Sequence, residues 1–208
     1  FNFTRFNGLY FRCKRKGYFL DKKLNITSTS LENLFIIEPN TFYDERGAFS
    51  RVFCENELHD IFDLQIKQVN HSITKQKGTV RGLHFQYEPN SEVKMVKCIK
   101  GSIYDVVVDI RKNSPTFLKT FSIELSKKNQ KMIYIPKGFA HGFQTLEDET
   151  ELLYFHSSIY APLNEDALNI KDPLLDIKWP LNIINLSKRD ESHAFLTEDF
   201  KGIDINAM

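Results

Sequence analysis

The sequence predicts an all-β domain, mainly antiparallel with short helices, and three observations lead there. Short runs rich in β-branched and aromatic residues recur from Leu24 onward, several alternate with period two, and turn signals separate them at the spacing of a sandwich or barrel. The runs, in order, are LFIIEP (34–39), AFSRVF (48–53), TVRGLHF (79–85), KMVKCIKG (94–101), SIYDVVVDI (102–110), LKTFSIELS (118–126), KMIYIP (131–136) and ELLYFH (151–156). In YDVVVDIR, Tyr104, Val106, Val108 and Ile110 share one face and Asp105, Val107, Asp109 and Arg111 the other. The Asp105 and Asp109 face is expected to be solvated or salt-bridged, and no role is assigned to it. Turns are marked by Lys100-Gly101-Ser102, Asn113-Ser114-Pro115 and Pro136-Lys137-Gly138. ENELHDIF (55–62) reads as a short helix, and the tail from DPLLDIKWP as ordered loops. No linker or internal repeat divides residues 24–208.

Composition narrows the function. With 208 residues and 18 phenylalanines, the chain has material for a sizeable core. Net charge is +1, but seven of the basic residues and only one acidic residue fall in residues 1–23, which leaves the remainder at −5. A mildly acidic body argues against nucleic acid, which needs a basic face on the folded domain. Residues 1–23 read as a basic aromatic extension, poorly ordered and outside the chemistry. Cys13, Cys54 and Cys98 are too scattered for a disulfide framework or a zinc site, so a reducing cytoplasm is expected. No run approaches the roughly 18 apolar residues of a membrane span, and no membrane partner is expected.

Two motifs carry chemistry. Gly78, five residues and then His84-Phe85-Gln86, with Gly101 further on, resembles the first cupin motif. Pro136-Lys137-Gly138-Phe139-Ala140-His141 resembles the second, P-x-G-x-x-H. The resemblance implies a double-stranded β-helix, or jelly roll. Gln86 stands in place of a second histidine ligand, and Lys94, seven residues before Gly101, in place of the acidic one. An ammonium repels a divalent cation, so no metal is expected. The same ammonium suits an anion, and an enolate beside a ketone is the candidate. His84 supplies a base, Tyr154 an acid, and Asp190 a carboxylate to orient the imidazole. Base and acid on opposite faces of a planar enolate would invert the carbon between them.

VNHS, KGTVRGLHFQ, KGSIYDVVVDIRKNSPT, YIPKGFAHGFQTLEDET, YAP, KDPLLDIKWP and LSKRD together resemble the dTDP-4-dehydrorhamnose 3,5-epimerase family, over about residues 26–190. The resemblance implies a cytoplasmic homodimer without a cofactor, acting on a nucleotide-linked 4-keto-6-deoxy sugar as in dTDP-L-rhamnose biosynthesis. Residue by residue, it implies His84 as base, Tyr154 as acid, Asp190 as dyad carboxylate and Lys94 beside the C4 oxygen. It implies Arg81 and His141 as pocket residues, Gln68, Asn70, Tyr160 and Glu165 as substrate contacts, and Arg46 as a phosphate contact. Arg51 departs from a frequent glutamate, Phe155 and His156 from Lys and Thr, and Ile170 from tryptophan. These departures bear on which nucleotide and sugar are used and on whether C3, C5 or both are inverted. The alternatives are a single-position epimerase, a ketoisomerase, and a sugar-nucleotide-binding cupin without catalysis.

Individually the residues have plainer roles: His84 or His141 as core histidines, Tyr154 or Tyr160 as core aromatics, Asp190 as a surface carboxylate, Arg46 as a turn residue. Lys94 shares a strand face with Val96 and Cys98, a costly place for an unpaired ammonium. Arg81 and His84 are three residues apart, so a regular strand would point them to opposite faces unless Gly82 forms a bulge.

Overall fold

In the computed structural model, residues 22–62 and 65–205 are described. The extension expected over residues 1–23 falls, through residue 21, outside the described residues. The strands in chain order are β1 (Leu24–Ser28), β2 (Phe35–Pro39), β3 (Phe42–Asp44), β4 (Gly47–Phe49), β5 (Gln68–Thr74), β6 (Val80–Gln86), β7 (Lys94–Lys100), β8 (Ser102–Asp109), β9 (Thr120–Ser126), β10 (Met132–Ile135), β11 (Phe139–Thr145), β12 (Thr150–His156) and β13 (Glu165–Ala167). Among the described residues there are also two four-residue helices, α1 (Glu55–Leu58) and α2 (Lys188–Glu191).

Two antiparallel sheets pack face to face, one ordered β1-β2-β10-β7-β12-β5 and the other β13-β6-β11-β8-β9, with β3-β4 as a separate hairpin. From β5 to β8 and from β10 to β13 the chain changes sheet at every strand. Residues close in sequence therefore arrive on facing walls: His84 on β6 and Lys94 on β7 belong to opposite sheets. The space between the sheets is filled by side chains from both, among them Val96, Ile103, Val107, Leu125, Ile133, Phe139 and Phe143.

The outer faces are covered as well. Val106, Val108 and Ile110 pack under tail residues Leu168, Ile170, Leu175 and Ile203, while Leu58 and Phe62 cover Ile37, Met95 and Met132. Burial of both faces decides between the two expectations for the Asp105 and Asp109 face, which is salt-bridged and not solvated. Both carboxylates are fully buried; Asp109 is paired with Arg111 and Asp105 with His141.

β1, β3, β13 and α2 lie outside the runs read from the sequence, and three further elements differ from its pattern. The strand expected over 48–53 ends at Phe49, and Phe53 instead packs edge-on against Phe62, with ring centroids 6.1 Å apart. The helix expected over 55–62 stops at Leu58, and its N-cap Cys54 makes no side-chain capping bond. β5, unforeseen, reads QVNHSIT because its polar face is the one turned inward: Ser72 and Asn70 line a cavity while Val69 and Ile73 are exposed.

Candidate active site

Part of the space between the sheets is a cavity of about 630 Å³ lined from both walls and by the tail, within the size range of small-molecule sites. Gln68, Asn70, Arg81, His84, Lys94, His141, Tyr154, Tyr160, Glu165 and Asp190 all line it. Ten of the eleven side chains singled out from the sequence thus meet at one place.

The exception is Arg46. It lies at the tip of the β3-β4 hairpin, 90% exposed and paired with Asp44 at 2.5 Å; the structure does not bring it to the cavity. The two residues are separated by one position in a tight turn, which brings the carboxylate within reach of the guanidinium. Arg51 likewise stays outside, paired with Glu57.

β6 positions two cavity side chains by means of a bulge. On β11, His141 pairs with His84 and Phe143 with Arg81, so three steps on β6 match two on β11. The extra residue brings Arg81 and His84 to the same cavity. Gly82 makes this possible. Its φ is +133°, and a Cβ there would lie 2.5 Å from the Gly142 Cα. The Arg81 Nε donates to Thr74 Oγ1 at 3.2 Å.

His84 Nε2 donates to Asp190 Oδ1 at 2.8 Å, leaving Nδ1 with the lone pair. Asp190 is held by α2, where its backbone N–H is capped by Ser187 Oγ at 3.0 Å. Burial works against ionisation of Asp190, but the hydrogen bond and charge of His84, with help from Ser187 and the Gly82 backbone, hold its carboxyl below the usual range. His84 remains 31% exposed in its side chain while Asp190 is 6% exposed. Of these two cavity-lining groups, the imidazole is thus the open one and its carboxylate the sheltered one.

The facing wall carries Lys94 and Tyr154 on one side of the sheet, as the β7-β12 register sets His156 against Lys94 and Tyr154 against Val96. Lys94 is not the unpaired ammonium its strand pattern suggested: Glu92 Oε1 holds Nζ at 3.0 Å, with both side chains about nine-tenths buried. Burial pushes the Tyr154 phenol well up, an effect that the hydrogen bond from Ser72 offsets only in part. The phenol therefore keeps its proton at neutral pH.

Sequence reasoning missed Glu92, His156, Asp105 and Arg189 as site components. His156 Nδ1 lies 2.7 Å from Glu92 Oε2, Asp105 Oδ2 2.8 Å from His141 Nε2, and Arg189 Nη2 donates to Glu165 Oε2 at 2.5 Å, an atom that Tyr160 Oη also reaches at 2.9 Å. The adjacency of Arg189 to Asp190 and the placing of Glu92 two residues before Lys94 were available signals; the pairings of His156 and Asp105 are long-range and leave none. Gln86, standing at a ligand position of the first cupin motif, turns instead to backbone groups of two loops, accepting from Ala161 N after β12 at 2.7 Å and donating to Asn90 O after β6 at 2.9 Å.

The family model described as dTDP-4-dehydrorhamnose 3,5-epimerase matches residues 28–198. The dTDP-4-dehydrorhamnose 3,5-epimerase of Shigella flexneri is 38% identical over 180 residues, covering 85% of this chain and 99% of that one. Among solved structures, the dTDP-6-deoxy-D-glucose-3,5-epimerase of Legionella pneumophila in complex with dTDP-4-keto-L-rhamnose superposes with a TM-score of 0.82 at 35% identity, covering 88% of this chain and all of that one. The 3'-monoepimerase ChmJ of Streptomyces bikiniensis, in complex with dTDP-quinovose, superposes with a TM-score of 0.75 at 33% identity over 80% of this chain and 85% of that one.

Proposed function

This chain belongs to the dTDP-4-dehydrorhamnose 3,5-epimerase family and is an isomerase, and from that premise we propose that it inverts both C3 and C5 of a dTDP-linked 4-keto-6-deoxyhexose through enolate intermediates. The observation that carries the proposal is the placement of His84, paired with Asp190 yet open to the cavity, on one sheet, with Tyr154 and Lys94 on the other.

The ketone at C4 acidifies the hydrogens on C3 and C5. His84 Nδ1 removes one of them, and Asp190 stabilises the imidazolium that forms. The electron pair moves onto the C4 oxygen, where the Lys94 ammonium stabilises the developing charge. Tyr154, protonated and on the opposite wall, returns a proton to the other face of the carbon, so the configuration inverts. Loss of the His84 proton to solvent and reprotonation of Tyr154 from solvent restore the pair, and a second round at the other carbon completes the reaction. Tyr160, Glu165 and Arg189, bonded to one another at the cavity rim, are suited to the nucleotide end of the substrate.

Inversion at a single carbon is the second reading, supported by the likeness to a 3'-monoepimerase. Incubation with dTDP-4-keto-6-deoxyglucose in D₂O separates the two, because NMR of the product counts the exchanged sites. Deuterium at both C3 and C5 is expected. Deuterium at one carbon alone would support the second reading, and binding without exchange would contradict both.

A further inference from the structure

The six-stranded wall carries a hydrogen-bond path whose direction is set by a backbone group. Tyr160 N–H, which has no alternative role as an acceptor, donates to Gln68 Oε1 at 3.0 Å. The Gln68 amide is thereby oriented, and its Nε2 donates to Asn70 Oδ1 at 3.2 Å. Asn70 has only Nδ2 left to offer, and that atom lies 3.4 Å from His156 Nε2. His156 meets it with a lone pair and donates Nδ1–H to Glu92 Oε2 at 2.7 Å. The other oxygen of Glu92 holds Lys94 at 3.0 Å. Donors and acceptors match along the whole path in one sense, and only for a neutral His156 in its Nδ1–H form. A protonated imidazole would turn N–H toward N–H at Asn70.

The end of the path is a flexible side chain with a heavy demand for precision. Lys94 has four side-chain torsions, so its ammonium sits where Glu92 fixes it. Glu92 in turn has two oxygens, one on Lys94 and one on His156, so the imidazole is what sets the plane of the carboxylate. The β7-β12 register, which places His156 opposite Lys94, builds this triangle into the sheet. We propose that His156 is a positioning residue: through Glu92 it holds the Lys94 ammonium at one point of the cavity, and it thereby governs the rate of enolate formation more than the binding of substrate. The proposal rests on the role assigned above to Lys94. The competing role for His156 is packing, because its ring also stacks on Tyr154, with centroids 6.0 Å apart and planes at 16°.

Two substitutions separate these roles. In His156→Asn the amide nitrogen falls near the position of Nδ1 and keeps the donation to Glu92; in His156→Gln the amide reaches the position of Nε2 and keeps only the contact with Asn70. Misplaced groups around a reacting centre cost about 10- to 100-fold, so kcat of His156→Gln is expected to fall about tenfold with KM within about twofold. His156→Asn should retain at least about half of kcat. Equal losses in the two variants, or a loss confined to KM, would overturn the proposal. In a Lys94→Met background, adding His156→Gln should cost less than about twofold, and a further tenfold loss would also overturn it. If Lys94→Met alone kept full kcat, the fault would lie with the role given to Lys94; if Lys94→Met were slow and His156→Gln normal, it would lie here. In the unsubstituted protein, two-bond ¹H–¹⁵N correlations should show His156 as the neutral Nδ1–H tautomer, and the Nε2–H tautomer would contradict the path.

Discussion

Two histidine–carboxylate pairs stand side by side on β6 and β11, at His84 and His141, with the same 2.8 Å bond and different surroundings. His141 and Asp105 are almost wholly buried, at 5% and 0%, and both come from the five-stranded sheet. His84 faces open cavity, and its carboxylate is delivered from α2, outside the sheets. Asp105 Oδ1 has no hydrogen-bond partner among the described residues, whereas Asp190 is supported by Ser187 and Gly82. Pair chemistry alone therefore does not define a base. Access to the reacting atoms does, together with a carboxylate whose own position is independently fixed.

The comparison predicts opposite responses to substitution. His84→Asn should lower solvent deuterium exchange into the sugar by about 10²- to 10⁴-fold, the usual cost of a lost general base, with a smaller fall in melting temperature than the second variant, since Ser187 and Gly82 still support Asp190. His141→Phe strands a buried carboxylate, a defect that costs about 3–5 kcal/mol, so thermal unfolding should show a large fall in melting temperature. Undiminished exchange in the first variant, or an unchanged melting temperature in the second, would erase the distinction between the pairs.

A smaller effect is expected with pH. Burial opposes ionisation of both Asp190 and Glu92, but His84 at the first, and His156 with Lys94 at the second, outweigh it and lower both carboxyls. A carboxyl depressed in the folded state stabilises the fold above its ordinary range, and that stabilisation is lost as pH falls through the depressed value. Melting temperature should therefore drop in acid below about pH 4, and more shallowly in Glu92→Gln. An equally steep drop in that variant would mean that Glu92 contributes nothing to the acid response.

Much of this arrangement was legible in the residues. The alternation of β7 put Lys94 on the inner face with Val96 and Cys98, and the Gly82 bulge resolved the odd spacing of Arg81 and His84. What stayed hidden depends on contacts distant in sequence. Glu92 reaches His156 across 64 positions, and His141 reaches Asp105 across 36. The aspartates of β8 left a solvated and a salt-bridged face equally open; the tail covers one side of the strand and the facing sheet the other, so the face is salt-bridged. β5 escaped notice for the reverse reason: its inward residues are polar because they face the cavity. For Arg46 a motif suggests a role without a position: its local turn pairs it with Asp44, outside the cavity of this chain.

The central claim is that the Lys94 ammonium holds the charge of an enolate formed by His84. Lys94→Met tests it most directly, with the rate of deuterium incorporation and the dissociation constant of the sugar nucleotide measured on the same preparation. Loss of one such electrostatic donor should slow incorporation by about 10²- to 10³-fold, while the dissociation constant changes far less. Incorporation as fast as in the unsubstituted protein would contradict the account.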